Sequence, residues 1–201
     1  MTTTSTDQTA NLLGAVLADL ATVVGGIPAE RHHDPTPCLE FTVEQLRDHV
    51  LGWLTTFAAG FADPAGQAPR GDLAGYQPPA DPAAEVRAAA DQLDQALRRG
   101  AAARPLRLGE SEMPGDLALD MILWEYQVHG WGLARATGQC WSPPVHAAEA
   151  SLRFAPGMLT TDYQGPGKAF AEPVLVANGA PPLDRLLGLS GRDPHWRAPN
   201  R

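Results

Sequence analysis

Glu125 and His129 lie one helical turn apart in LWEYQVHGWGLARATG, and a third residue of ligand type, His49, lies upstream in VEQLRDHVLGW. A four-residue step puts two side chains on one helix face, with Cβ atoms about 5–6 Å apart. Met121, Ile122, Val128 and Leu133 share that stretch, so the pair is expected to point into a core. Buried ionisable groups are costly unless something satisfies them, and a metal ion satisfies both at once. Two imidazoles and one carboxylate leave coordination positions open for water or substrate, as in many catalytic zinc sites. The same donor set serves Fe(II), Ni(II) or Mn(II). Taken alone, a Glu–His step is equally the pattern of a modest surface pair, and a single His that of a core histidine. Position favours a site, because all three residues border apolar stripes. Trp53 and Met121 are the residues expected to line a substrate pocket beside it.

Other chemistry has less support. No GxSxG, Walker loop or dinucleotide fingerprint occurs, so nothing points to a serine hydrolase or a nucleotide enzyme. His32, His33, His146 and His195 fall in polar or terminal stretches and read as solvated. Two cysteines, Cys38 and Cys140, make neither a disulfide framework nor a thiolate zinc site, and Cys38 reads as a buried or half-buried free thiol.

Four amphipathic segments have to position the three ligands. The first runs from about Asp7 to Val24, with Leu13, Val16, Leu17, Leu20 and Val24 on one stripe. The second starts at a capping box, Thr42 with Gln45, flanked by Phe41 and Leu46 as a hydrophobic staple. Its stripe includes Val50, Trp53, Leu54 and Phe57, and His49 lies on the border. The third starts at Asp81-Pro82 and ends near Gly100. The fourth, expected to be capped by Asp116, runs to Thr137 and stops at Gly138. Such helices pack as a four-helix bundle, over about residues 7–138. Long linkers leave the helix order open, and Ala62 to Ala80 is the longest. Val145 to Phe154 and Leu183 to Leu189 read as short helices of an appendage, about 139–201, that closes one end of a single domain.

Composition bounds the partners. A formal net charge of −8 over 201 residues disfavours nucleic acid and anionic membranes, and the Arg-rich RRGAAARPLR, the one candidate for a basic patch, reads about as well as a helix end followed by a solvated loop. The polar start MTTTSTDQTA lacks a signal-peptide pattern, and no run of about 18 apolar residues stands out, so the expected location is the cytoplasm. The expected partner is a small-molecule substrate, with the chain a monomer or homodimer.

Three stretches carry a family resemblance. TPCLEFTVEQLRDHVLGW, EYQVHGWGLARATG and FAEPVLVANGAPPLDRLLGLSGRDPHW resemble, in this order, motifs of actinobacterial DinB/YfiT-like metal-binding proteins. These are related to the N-terminal domain of mycothiol-dependent maleylpyruvate isomerase. Phe41 stands where that motif usually has Trp, and Gly132 where it usually has Asp. The resemblance implies a four-helix bundle of up-down-down-up order with a crossover between helices 2 and 3. It implies that His49, Glu125 and His129 match the isomerase family's metal ligands, with zinc as the first expectation. It further implies a mycothiol-type thiol as cofactor. Because the isomerase has an additional C-terminal domain at its active site, the expected reaction here is a thiol transfer. A thiol-independent isomerase, hydrolase or cyclase is the second expectation, and a non-catalytic metal- or ligand-binding protein the third.

Overall fold

The computed structural model describes residues 5–69, 75–160, 162–166, 168 and 170–199. Six α-helices are formed by these residues: α1 Thr6–Gly25, α2 Val43–Ala62, α3 Pro82–Arg98, α4 Gly115–Thr137, α5 Val145–Met158 and α6 Pro182–Leu189. Their starts follow from local hydrogen bonding. The Ser5 hydroxyl accepts the Gln8 N–H at α1, and the Asp81 carboxylate accepts the Ala84 N–H at α3, where Pro82 opens the first turn. At α2 both halves of the capping box form: Gln45 N–H donates to the Thr42 hydroxyl at 3.3 Å, and Thr42 N–H to the Gln45 amide oxygen at 2.9 Å. α4 ends on Gly138, whose φ of +73° is the left-handed stop that glycine supplies.

Asp116 is not the cap that the sequence suggests. Helix α4 begins one residue earlier, at Gly115 after Pro114, so Asp116 already sits in the first turn. Its charge there still suits the positive end of the helix.

Helix α1 packs against α3 and α4, and α2 packs against the same two helices. Leu17, Leu20, Leu46, Leu54, Leu93 and Ile122, each at most 2% exposed, make the core they share. By length and composition α1 could cross a membrane, with a mean hydropathy of 1.2 over its most apolar window, more apolar than the sequence reading allowed. Its stripe Leu13, Val16, Leu17 and Leu20 is instead buried in the core.

The stretch after α3 is not a solvated loop. Ala101 and Ala102 are buried, and Leu106 starts β1 (Leu106–Leu108), which pairs antiparallel with β2 (Ser111–Met113). Gly109, at φ +64°, opens the two-residue turn between them. Arg104 folds back and donates to the carbonyls of Phe61 (2.6 Å) and Asp63 (2.8 Å), satisfying the C-terminal end of α2. Three-residue strands carry too little alternation to be read from sequence. The expected linker Ala62 to Ala80 lies partly outside the described residues.

A second apolar cluster joins α4 to the C-terminal segment: Trp124, Val128 and Trp131 pack with Ala148 and Ala155 of α5 and Leu186 and Leu187 of α6. α4 therefore has two working sides, one toward α1 and α2 and one toward the appendage.

Candidate functional site

His49 comes from the second turn of α2, and Glu125 and His129 from the middle of α4. Two features set the distance between these helices. Gly132 has no side chain, and a Cβ there would lie 3.3 Å from Leu46 Cδ2, so its absence lets α4 close on α2. One turn along α2, the buried Tyr126 hydroxyl donates to the Val50 carbonyl at 3.0 Å. That bond ties the two helices at the level of His49.

The result is that the His49 and His129 rings face each other edge to face, with centroids 5.4 Å apart and planes at 69°. Phe41 covers the other side of His49 at 5.0 Å. Two imidazoles binding one ion through one nitrogen each, at M–N of about 2.0–2.1 Å, have centroids about 5.2 Å apart at a tetrahedral angle. The pair therefore has the spacing of two ligands of a single ion. Among the described residues, no three His, Cys, Asp or Glu side chains are grouped as a set that could hold a metal ion. The two imidazoles face each other, and Glu125 is not grouped with them as a third donor.

The electrostatics are those of a recessed site whose three side chains keep partial exposure. Burial lowers both imidazoles, His129 well below its ordinary value, where Arg192 and His49 push in the same direction. Burial raises the Glu125 carboxyl to about 7, against the opposing pull of Arg192. No hydrogen bond contributes to any of the three shifts. Neutral imidazole is the form that binds metals, and these two rings are held in it. Asp48, beside His49 in sequence, turns away and pairs with Arg47 at 2.8 Å.

Arg192 is the residue that sequence reasoning missed. It is 8% exposed, and its guanidinium donates to the Ser190 carbonyl and, at 3.3 Å, to Cys38 Sγ. Its position depends on α4. The Trp124 indole N–H donates to the Ser190 hydroxyl at 2.9 Å, and Phe170 stacks on the same indole at 4.8 Å. Gly191, at φ +79°, then turns the chain so closely past Ala171 that a Cβ would lie 2.8 Å from its carbonyl oxygen. The sequence signal was Gly-Arg after a short amphipathic helix, which has no ligand-type periodicity.

The remaining expectations fall as follows. Trp53 is partly buried and stacks on Phe57 at 5.3 Å, and Met121 is partly buried against the main core. Neither lines the 480 Å³ cavity, which opens between Cys38, Leu39, Trp196 and Arg192. A larger cleft of 590 Å³ lies elsewhere, at the starts of α1 and α4 beside Asp7, Arg104 and Asp116. His146 is exposed and paired with Glu149 at 2.9 Å. Beside His129, Gly130 makes room for the Trp141 indole, which lies where a Cβ would be.

Comparison with known proteins places this chain in a family. An uncharacterised Mycobacterium tuberculosis protein, Rv0738 in strain H37Rv and MT0763 in strain CDC 1551, is 30% identical over 175 residues. The alignment covers 86% of this chain and 91% of the relative. No solved structure matches the chain significantly. The family model described as mycothiol maleylpyruvate isomerase N-terminal domain matches residues 13–134, a span that holds His49, Glu125 and His129 and stops before Arg192. The chain belongs to the family of mycothiol maleylpyruvate isomerase N-terminal domains.

Proposed function

We propose that this chain is a metal-dependent enzyme of small-molecule metabolism, a transferase that uses a low-molecular-weight thiol of the mycothiol type. His49, Glu125 and His129 would hold a divalent ion, with zinc ahead of iron, nickel or manganese. The observation that carries the reading is the 5.4 Å spacing of two neutral imidazoles with Glu125 one turn away on α4. The family match supports the thiol. We read the fold as a DinB/YfiT-like four-helix bundle, up-down-down-up; the packing of α1 and α2 on both α3 and α4 supports the bundle.

A bound ion supplies a site that holds a thiol as its thiolate at neutral pH. The chain's own groups prepare that site. Phe41 packs on His49 and fixes its ring, and Tyr126 fixes the separation of α2 and α4. Glu125 gives up its proton on ligation, at a cost kept small by a carboxyl poised near 7 and by the Arg192 charge. Trp53 and Met121 are the proposed walls for the electrophile.

Protein purified without chelator is expected to carry about one divalent ion per chain, lost in His49→Ala and in His129→Ala. Loaded protein is expected to consume thiol with an electrophile from a broad panel. A wild type without stoichiometric metal overturns the proposal. The family description also favours an isomerase, and that reading predicts product formation with no net thiol loss.

A further inference from the structure

The 480 Å³ cavity beside the C-terminal segment touches this scheme only through the charge of Arg192. Its floor holds Arg192, which is nine-tenths buried and forms no ion pair among the described residues. A guanidinium has five N–H donors, and the two contacts here, to a carbonyl and a sulfur, leave it without a carboxylate in contact among the described residues, its charge being felt at a distance by the partly protonated Glu125. A buried cation in that state favours an anionic group brought in by a ligand. The exposed rim has the opposite sign, with Glu40, Glu172 and Asp193 outnumbering Lys168. A cation at the floor and carboxylates at the rim suit a zwitterion.

Cys38 lies on the same wall and is held there by its own loop. The buried Thr36 hydroxyl accepts the Cys38 N–H at 3.1 Å and lies 2.9 Å from the carbonyls of Cys38 and Phe41. The sulfur accepts from Arg192 at 3.3 Å and stays half-exposed. The guanidinium that would hold a ligand carboxylate therefore lies directly beside the sulfur.

We propose that this cavity binds a small amino-acid-based disulfide and that Cys38 exchanges with it to carry a mixed disulfide. Cys38 Sγ gives up its proton and attacks one ligand sulfur. A bond between Cys38 and that sulfur forms, the ligand's own S–S bond breaks, and the other half leaves as a thiolate that takes up a proton. One disulfide is consumed and one is made, so no separate oxidant is needed. A 480 Å³ space accommodates a ligand of that size.

The test uses full-length, reduced protein treated with EDTA, so that its outcome is separate from the metal assay. Incubation with oxidised glutathione is followed by acid quenching and peptide mass mapping. The mixed disulfide is expected at Cys38 about tenfold or more faster than at Cys140, although Cys140 is the more exposed thiol. Arg192→Met is expected to remove that preference. Cystamine, which lacks carboxylates, is expected to show little preference in the wild type, and this arm stands even if the Arg192 variant does not fold. Equal or faster reaction at Cys140, or a Cys38 preference that survives in folded Arg192→Met, overturns the proposal.

Discussion

The imidazole pair between α2 and α4 and the Arg192–Cys38 cavity both depend on α4, yet they are built in different ways. The first is made by helix periodicity: His49 borders the α2 stripe, and Glu125 and His129 recur at a four-residue step. The second is assembled from the 37–40 loop and the turn at Gly191, more than 150 residues apart. One lies inside the span the family model matches and the other outside it. Charge also divides them. Burial shifts the groups of the helix site toward their neutral forms, whereas the cavity retains a buried cation. They meet electrostatically, because Arg192 lowers both Glu125 and His129.

The largest expected effect comes from cutting the joint between them. Trp124→Ala removes a fully buried indole, its bond to Ser190 and its stack on Phe170. A loss of about 3–5 kcal/mol in denaturant titration is expected. If stability is unchanged, the appendage is not anchored through Trp124 and the two regions are independent.

A smaller effect isolates the helix site. In metal-free protein, Glu125 is raised from about 4.5 in the unfolded chain to about 7 in the folded one. The folded state therefore holds this proton longer, and the contribution is present in full below pH 4.5 and lost as pH rises toward 7. Relative to Glu125→Gln, the wild type is expected to lose on the order of 2 kcal/mol between those limits. Parallel stability curves for the two proteins would place the Glu125 carboxyl in open water rather than in a recessed site.

Gly191→Ala probes the cavity side alone. Its positive φ and the close passage at Ala171 make any side chain strained, at a cost of roughly 1 kcal/mol or more. Hydrogen exchange is expected to quicken around residues 185–196 while the centres of α2 and α4 keep their protection. Uniform quickening would mean that the appendage and the helices open as one unit.

The difference in construction also explains what could be read in advance. The Thr42–Gln45 box, the Asp81-Pro82 start and the Gly138 stop are local signals, and each forms where the sequence places it. His49 and His129 could be paired because each lies beside a periodic stripe. Arg192 could not, since its burial depends on Trp124, Gly191 and Cys38 together, residues whose proximity no local pattern encodes. The β1–β2 hairpin escaped for a related reason: its strands are shorter than any period. Asp116 shows the limit of cap reading, because Pro114 moved the helix start by one residue.

The glycine beside His129 has a consequence for how this chain can change over generations. The Trp141 indole occupies the volume where a side chain at position 130 would begin. A single substitution at 130 must therefore expel a tryptophan, while a smaller residue at 141 leaves a hole. Neither step is comfortable without the other. Positions 130 and 141 are bound to drift as a pair, and chains of this family that carry a bulkier residue at the first are expected to have surrendered the indole at the second.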